Sequence, residues 1–319
     1  MPDPAPDAAR TEALAKLPER IAFLGFGLIG GSIALALRKA GSTARLAAWT
    51  PNGDGPAEGL RHGFLDDAAA TAATALDGAA LVVLAGPPLS VLGTLEDLAG
   101  PLHGALAADA TITDVASTKT LITESASAYQ LPFVGGHPMA GRETSGAGAA
   151  TADLFVDRPW VVVRSGGSRP IDIERVDALA RSVGARPVEL SGQEHDAAVA
   201  AISHLPLLLA AALVESVAGS PEGAASWPMA RRLAASGWAD MTRLARSDPE
   251  MGAGIVATNA GPVTERLRAL RGVLDSWIEL LDAPGEPPDA GVIREHLDAA
   301  REALERRPDE ATPAGEESR

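Results

Sequence analysis

Residues Ile21–Gly41 read IAFLGFGLIGGSIALALRKAG. Four apolar residues, Ile21–Leu24, lead into a glycine-rich turn, and an apolar helical pattern follows. Within Gly25-Phe26-Gly27-Leu28-Ile29-Gly30 the glycines fall at GxGxxG spacing. Such spacing has a physical purpose where a strand turns into a helix over a diphosphate. The first glycine permits the tight turn, the second lets backbone approach the phosphates, and the third lets helix and strand pack closely. The diphosphate then meets unpaired N–H groups at the helix N-terminus, where the dipole favours an anion. The stretch therefore predicts a dinucleotide site, with NAD or NADP as cofactor.

Downstream, short apolar runs alternate with alanine-rich helical stretches. Ile21–Leu24, Arg45–Trp49, Ala80–Ala85, Thr111–Asp114, Phe133–Gly135 and Trp160–Arg164 have strand character, and Ala185–Leu190 adds one more. The alternation predicts a parallel, doubly wound Rossmann-type α/β sheet with helices on both faces. If the cofactor is NAD, the second strand should end in an acid for the ribose 2′-hydroxyl. It ends instead in Trp49-Thr50-Pro51-Asn52. Neutral Thr50 removes repulsion against a 2′-phosphate, which tips the reading slightly toward NADP, yet no arginine adjoins it. Both cofactors stay open, and Thr50 also suits the start of a turn.

The second half changes texture. From Gly192 strand patterns stop. Glu194–Gly219 is apolar on nearly all sides and contains Pro206, which predicts a kinked, buried helix. Pro262–Asp282 carries Val263, Leu267, Leu270, Leu274, Trp277, Ile278 and Leu281 as one helical stripe, and Val292–Arg306 is amphipathic. A small helical domain can hardly bury so apolar a helix alone, so a homodimer through this domain is expected. The layout is thus a flexible tail (1–17), a dinucleotide-binding domain (18–191), an all-helical substrate and dimerisation domain (192–306) and a disordered tail (307–319).

Bulk properties narrow the function. The 319 residues carry a formal charge of −15 and no cysteine. Such a charge disfavours nucleic acid and anionic membranes as partners. Without cysteine there is no disulfide or thiolate metal site, and no metal centre is expected. The N-terminus lacks a signal-peptide pattern. No apolar stretch approaches the roughly 20 residues that span a bilayer. A cytoplasmic enzyme is the expectation.

Three later stretches are more specific: Asp114-Val115-Ala116-Ser117-Thr118-Lys119, Gly135-Gly136-His137-Pro138-Met139-Ala140-Gly141-Arg142-Glu143, and His195-Asp196 with Ser203-His204-Leu205-Pro206. A fourth is Gly237-Trp238-Ala239-Asp240-Met241-Thr242-Arg243-Leu244-Ala245. His137 follows two glycines and precedes a proline, which places it on a rigid loop at a strand's C-terminal end, where open α/β sheets bind ligands. A histidine there can accept a proton near neutral pH. Together with the glycine fingerprint, over about residues 20–282, these motifs resemble the prephenate and arogenate dehydrogenases, the TyrA enzymes of tyrosine biosynthesis.

The resemblance implies oxidative decarboxylation of prephenate to 4-hydroxyphenylpyruvate with hydride transfer to NAD(P)+. It implies His137 as acceptor for the ring C4 hydroxyl, with Ser117 orienting it. Arg243 would grip the ring carboxylate, and Glu143 would join an ionic network at the site mouth. Ser117 also suits an N-cap for a helix over Thr118–Ala128, and Lys119, which matches the lysine of the family's D-x-x-S-x-K stretch, equally suits an exposed helix position. His195 and His204 read first as a helix start and a helix interior; His204 is kept as a substrate-side candidate. His62, His103 and His296 are read as surface residues. Two departures touch the substrate's side-chain end: Leu207 stands where many prephenate-using members have histidine, and Gly252 where related sequences often have tryptophan. An arogenate-preferring or dual-specificity enzyme, a 4-amino-4-deoxyprephenate dehydrogenase and a non-catalytic NAD(P) sensor are the alternatives.

Overall fold

The computed structural model describes residues 6–142, 144, 146–282 and 288–306. Glu143 and the 307–319 segment lie outside them. Among the described residues eight strands form one sheet: β1 (Arg20–Leu24), β2 (Arg45–Trp49), β3 (Asp67–Ala68), β4 (Leu81–Leu84), β5 (Thr111–Asp114), β6 (Phe133–Pro138), β7 (Pro159–Arg164) and β8 (Arg186–Glu189). Their order is β3-β2-β1-β4-β5-β6-β7-β8. The short β3 has no apolar run and is not legible in the sequence. The sheet is parallel except where β7 runs antiparallel to β6, pairing His137 with Val161 and Pro138 with Trp160. The wholly parallel expectation fails there because, among the described residues between the two strands, there is no α-helix, only a single 3₁₀ turn at Ala147–Ala149.

The helices are α1 (Pro6–Ala15), α2 (Leu28–Lys39), α3 (Asp54–Arg61), α4 (Ala72–Leu76), α5 (Pro88–Ala99), α6 (Thr120–Ala128), α7 (Pro170–Ser182), α8 (Gly192–Val199), α9 (Leu205–Val214), α10 (Pro221–Leu233), α11 (Ser236–Thr242), α12 (Pro249–Thr258), α13 (Ala260–Leu281) and α14 (Ala290–Glu305). Period-two alternation sends successive strand residues to opposite faces. Ile21, Phe23, Leu81 and Val83 pack with Ile33 and Leu37 of α2 and Val176 and Leu179 of α7. Ala22, Leu24, Val82 and Leu84 pack with Leu76 of α4, Val91 and Leu95 of α5 and Ile122 of α6. Both faces are covered, as a doubly wound sheet requires.

The expected flexible tail needs correction at residues 6–15. They form α1, with Ala13 buried and Leu14 and Leu17 against the first core cluster. Arg10 Nε donates to the Ser182 carbonyl at 2.8 Å, tying α1 to α7. The helix formers of TEALAKL carry an apolar stripe that the tail's Pro and Asp content concealed.

The chain divides into two compact units at Thr264/Glu265, later than the 191/192 boundary expected from texture. Helices α8 to α12 belong with the sheet. Asp196 on α8 accepts the backbone N–H groups of Lys119 and Thr120, each at 2.8 Å, and Thr118 and Thr258 share a buried hydroxyl contact at 2.8 Å. In the second unit the Trp277 ring meets His296 edge-on at 5.3 Å between centroids. His62, His103 and His296 are exposed.

One helix runs from Gly192 to Gly219, 28 residues with a long apolar stretch inside it. By length and composition it could cross a membrane, which corrects the expectation that no stretch approaches that length. Pro206 stands in the first turn of α9. A π-helical turn at Ala200–His204 precedes it and α9 continues, so the widened turn absorbs the missing N–H. Nor is α9 buried within the chain: Ala210 is its one buried residue.

Candidate active site

A cleft of about 1020 Å³ opens where the C-terminal ends of the parallel strands converge. Neighbouring strands β1 and β4 are not consecutive in the chain, so their connections leave in opposite directions and the crevice forms between them. Its lining includes Gly25–Ile29 after β1, Trp49–Asn52 after β2, Ala85–Pro87 after β4 and Val115–Ser117 after β5.

The glycine turn behaves as its spacing predicts. Gly25 has φ +93, and a Cβ there would lie 2.6 Å from the Ala85 carbonyl carbon. At Gly30 a Cβ would approach the Gly25 oxygen at 3.3 Å, so helix and strand are in close contact. A Cβ at Gly27 would meet nothing within 4 Å, which leaves the space above the turn open. The N-terminus of α2 has no side-chain cap, so its first N–H groups face that space unpaired by side chains. Open room above uncapped donors fits a dinucleotide diphosphate. Phe26, Leu28 and Ile29 line the same stretch.

Thr50 does start a turn. Its hydroxyl accepts from Gly53 N at 3.0 Å and contacts Asn52 Oδ1 at 3.1 Å, while Asn52 Nδ2 donates to Asp54 Oδ2 at 3.0 Å. Asp54 and Glu58 line this end of the cleft, whereas the lining cations, Arg142 and Arg243, come from later segments.

His137 lines the cleft, but on β6 rather than on a loop. Pairing with β7 extends the strand through Pro138 and holds the histidine in the sheet. The two glycines before it are needed for packing. A Cβ at Gly136 would lie 2.6 Å from the Asp114 carbonyl oxygen, and one at Gly135 would lie 3.2 Å from Lys119 Cδ. Beneath this strand sits a fully buried ion pair, Asp114 with Lys119. Asp114 also accepts the N–H groups of Gly136 and Ala116, each at 3.0 Å, and so ties the end of β5 to the end of β6. Burial pushes the Asp114 carboxyl up and the Lys119 ammonium down, and each opposes the other's shift. Lys119 is therefore a core residue, not an exposed helical one.

Ser117 also lines the cleft and is partly exposed. It is not the helix cap: α6 begins at Thr120, and the Asp196 carboxylate takes the orphan N–H groups from outside. Arg243 lines the cleft from the 3₁₀ turn that follows α11. Ser203, Leu207, Met251, Gly252 and Ile255 complete the helical wall. His204 does not line it. The ring is 1% exposed, and its Nδ1 is 3.1 Å from Asn259 Nδ2, which donates. Burial lowers its pKa to about 4, opposed by Asp196 and by the Ser117 backbone, so the ring is neutral at neutral pH. Its Nε2 is buried without a hydrogen-bond partner. Glu143 lies outside the described residues.

Sequence reasoning missed the group behind His137. His137 Nδ1 lies 2.8 Å from His195 Nε2, and His195 Nδ1 lies 2.8 Å from Asp196 Oδ1. Burial pulls His137 well below the ordinary histidine value, and His195, Lys119 and His204 add to the shift. The ring is thus neutral at physiological pH and available as a proton acceptor. Asn259, which no motif flagged, donates to the Asp196 carbonyl at 2.8 Å.

Residues 33–189 match the prephenate dehydrogenase nucleotide-binding domain, and residues 191–287 match the prephenate dehydrogenase dimerization domain. The prephenate dehydrogenase of Bacillus subtilis is 34% identical over 272 residues, 84% of this chain and 69% of that protein. The chain belongs to the prephenate dehydrogenase family. Arogenate dehydrogenase from Synechocystis superposes with a TM-score of 0.70 at 30% identity, covering 89% of this chain and 99% of that one. The Aquifex aeolicus prephenate dehydrogenase, solved in complex with hydroxyphenyl propionate and NAD+, shares the fold at a TM-score of 0.74 and 24% identity, covering 90% and 94%. The chain is thus an oxidoreductase of this family. Its first half is a nucleotide-binding domain, in agreement with the NAD or NADP expected from the glycine turn.

Proposed function

We propose that the chain oxidises and decarboxylates prephenate to 4-hydroxyphenylpyruvate, with NAD+ as acceptor, in tyrosine biosynthesis. One observation carries this reading: Ser117, His137 and Arg243 line the same cleft as the glycine turn. Gly25–Gly30 and Thr50 would hold the cofactor, whose nicotinamide would supply the hydride acceptor for the substrate's C4. His137 accepts the C4 hydroxyl proton, because its ring is neutral and faces the cleft. Ser117 hydrogen-bonds the same hydroxyl and orients it. Arg243 holds the ring carboxylate through parallel hydrogen bonds, and Glu143 is assigned to the substrate side as a supporting group. Once C4 is oxidised, loss of CO2 aromatises the ring.

Asp54 and Glu58, with no cation from the Thr50–Glu58 segment lining the cleft, support NAD+ over NADP+, since a 2′-phosphate would meet like charge. This reverses the slight tilt toward NADP that neutral Thr50 gave. A second reading rests on the helical wall. Leu207 and Gly252 both line the cleft, and a Cβ at Gly252 would sit 3.6 Å from Leu207 Cδ2. A wall that is apolar and short of a side chain suits the amino-acid side chain of arogenate as well as the keto acid. The half-buried apolar α9 supports a homodimer in which a second copy covers it. The same continuous helix carries buried His195, Asp196 and His204, so it is read as a protomer contact and not as a membrane span. A cytoplasmic location without nucleic acid partners belongs to this reading.

Initial rates of cofactor reduction with prephenate and arogenate, each against NAD+ and NADP+, test it. Turnover with NAD+ exceeding that with NADP+ is expected. No reduction in any of the four combinations would overturn the assignment, and light scattering at the mass of a single chain would overturn the homodimer.

A further inference from the structure

The two histidines and Asp196 determine where each hydrogen lies. Asp196 Oδ1 faces both His195 Nδ1 and Lys119 N, and Oδ2 faces Thr120 N, all at 2.8 Å. Burial alone would raise this carboxyl, but hydrogen bonds from His195, Thr120 and Lys119 outweigh it and keep it below its ordinary range. An ionised carboxylate only accepts, so the hydrogen in the Asp196–His195 contact sits on His195 Nδ1. With that hydrogen on Nδ1, His195 presents its Nε2 lone pair as the acceptor. That lone pair, 2.8 Å from His137 Nδ1, requires His137 to carry its hydrogen on Nδ1. The free lone pair of His137 is therefore on Nε2, on a ring that lines the cleft.

We propose that His195 is a positioning residue for His137, with Asp196 fixing the tautomer of both rings and offsetting the charge gained in turnover. This rests on His137 being the proton acceptor. In the step itself the substrate O–H bond breaks and its proton bonds to His137 Nε2. The O–H electron pair becomes part of the new C4=O bond, and the C4–H pair leaves as hydride to the oxidised nicotinamide. His137 is then an imidazolium whose Nδ1–H still points to His195. The groups facing it are His195 from α8, Lys119 ahead of α6 and His204 from the π-helical turn, and all three disfavour a positive ring. Asp114 offsets Lys119 at direct contact. Asp196, joined through His195, is the carboxylate that balances His137. His195 and Asp196 are 1% and 2% exposed, so the chain ends inside the protein. It orients the acceptor and shares its charge; it does not carry the proton out to water.

Two substitutions separate this role from a merely structural one. His195→Leu removes the acceptor for His137 Nδ1–H, whereas His195→Gln keeps an amide oxygen able to accept it. We expect His195→Leu to lower kcat roughly 10- to 100-fold with KM changed less than about threefold, and His195→Gln to recover most of the loss. NADH affinity, measured by fluorescence titration, should stay unchanged in both and so reports an intact fold. Nitrogen-detected NMR of the resting wild-type enzyme should find His137 protonated on Nδ1, and His195→Leu should yield a mixture of tautomers. A folded His195→Leu with wild-type kcat overturns the proposal. So does a wild-type His137 protonated on Nε2, a reading that needs no turnover and decides the matter even if His195→Leu does not fold. If the wild-type enzyme turns over none of the substrates, the acceptor assignment itself fails, and the NMR result distinguishes that failure from this one.

Discussion

The two walls of the cleft are built in different ways. On the sheet side, Gly25–Gly30 forms the cofactor turn from consecutive residues, with Gly25 and Gly30 confined by close contacts and Gly27 under open space. On the other side, His137 comes from a strand, and behind it His195, Asp196, His204 and Asn259 come from a helix, a π-helical turn and the residue after α12. The first wall depends on space and backbone conformation; the second depends on hydrogen-bond partners. Substitutions at the first should therefore change binding and stability, and substitutions at the second should change turnover while leaving the cofactor in place.

The largest effect is expected at Gly25. Alanine there must adopt φ +93 and place Cβ against the Ala85 backbone. Gly25→Ala should cost at least about 2 kcal/mol in chemical denaturation and abolish measurable NADH binding. Ordinary NADH affinity in a stable Gly25→Ala protein would show that the turn is not what confines the cleft. Next is His137→Asn, for which kcat should fall at least roughly 100-fold with NADH affinity unchanged. The pH profile carries a sign as well. His137 must be neutral to accept a proton, and its pKa is depressed by burial and by its neighbours. The acid limb of kcat/KM should accordingly lie below the ordinary histidine value of about 6.5, with no loss above it from this group. An acid limb above that value would mean that the ring is stabilised in its charged form.

Arg243→Ala should raise KM about 10- to 100-fold, the worth of a charge-assisted carboxylate contact, with a smaller change in kcat. An unchanged KM for a substrate carrying the ring carboxylate would remove Arg243 from the binding site. The smallest effect contrasts with the first. A methyl at Gly27 meets no protein atom, so Gly27→Ala should stay within about 0.5 kcal/mol of wild-type stability. It should weaken NADH by roughly tenfold, because the methyl takes space meant for the diphosphate. Equal losses of stability at Gly25 and Gly27 would erase the distinction between a strained turn and an open cradle.

Much of the sheet was legible because strand burial is written as short apolar runs. β1, β2, β4 and β5 fall where those runs fall, within a residue. β3, two residues with an aspartate, had no run to find, and the antiparallel β7 could not be told from a parallel strand, since pairing direction leaves no periodicity. α1 was hidden by the Pro and Asp residues around it. In the cleft, Ser117, His137 and Arg243 were found through motifs and all three line it. His204 was expected on the substrate side but sits 1% exposed behind that lining, held by Asn259. Lys119 could be read equally as exposed; its burial depends on Asp114, five residues away across a strand end.

The sequence alone determined the dinucleotide turn, the doubly wound half, the helical half and the residue types that carry the chemistry. Those features follow from local rules: glycine where the backbone turns sharply, apolar alternation where a strand is covered on both faces, a neutral histidine where a proton must be taken. Only the tertiary structure decided that Asp196 caps α6 from outside, that this leaves Ser117 free to face the cleft, and that His195 stands between Asp196 and His137. Such contacts join residues far apart in the chain, and nothing in the spacing of those residues records which donor will meet which acceptor.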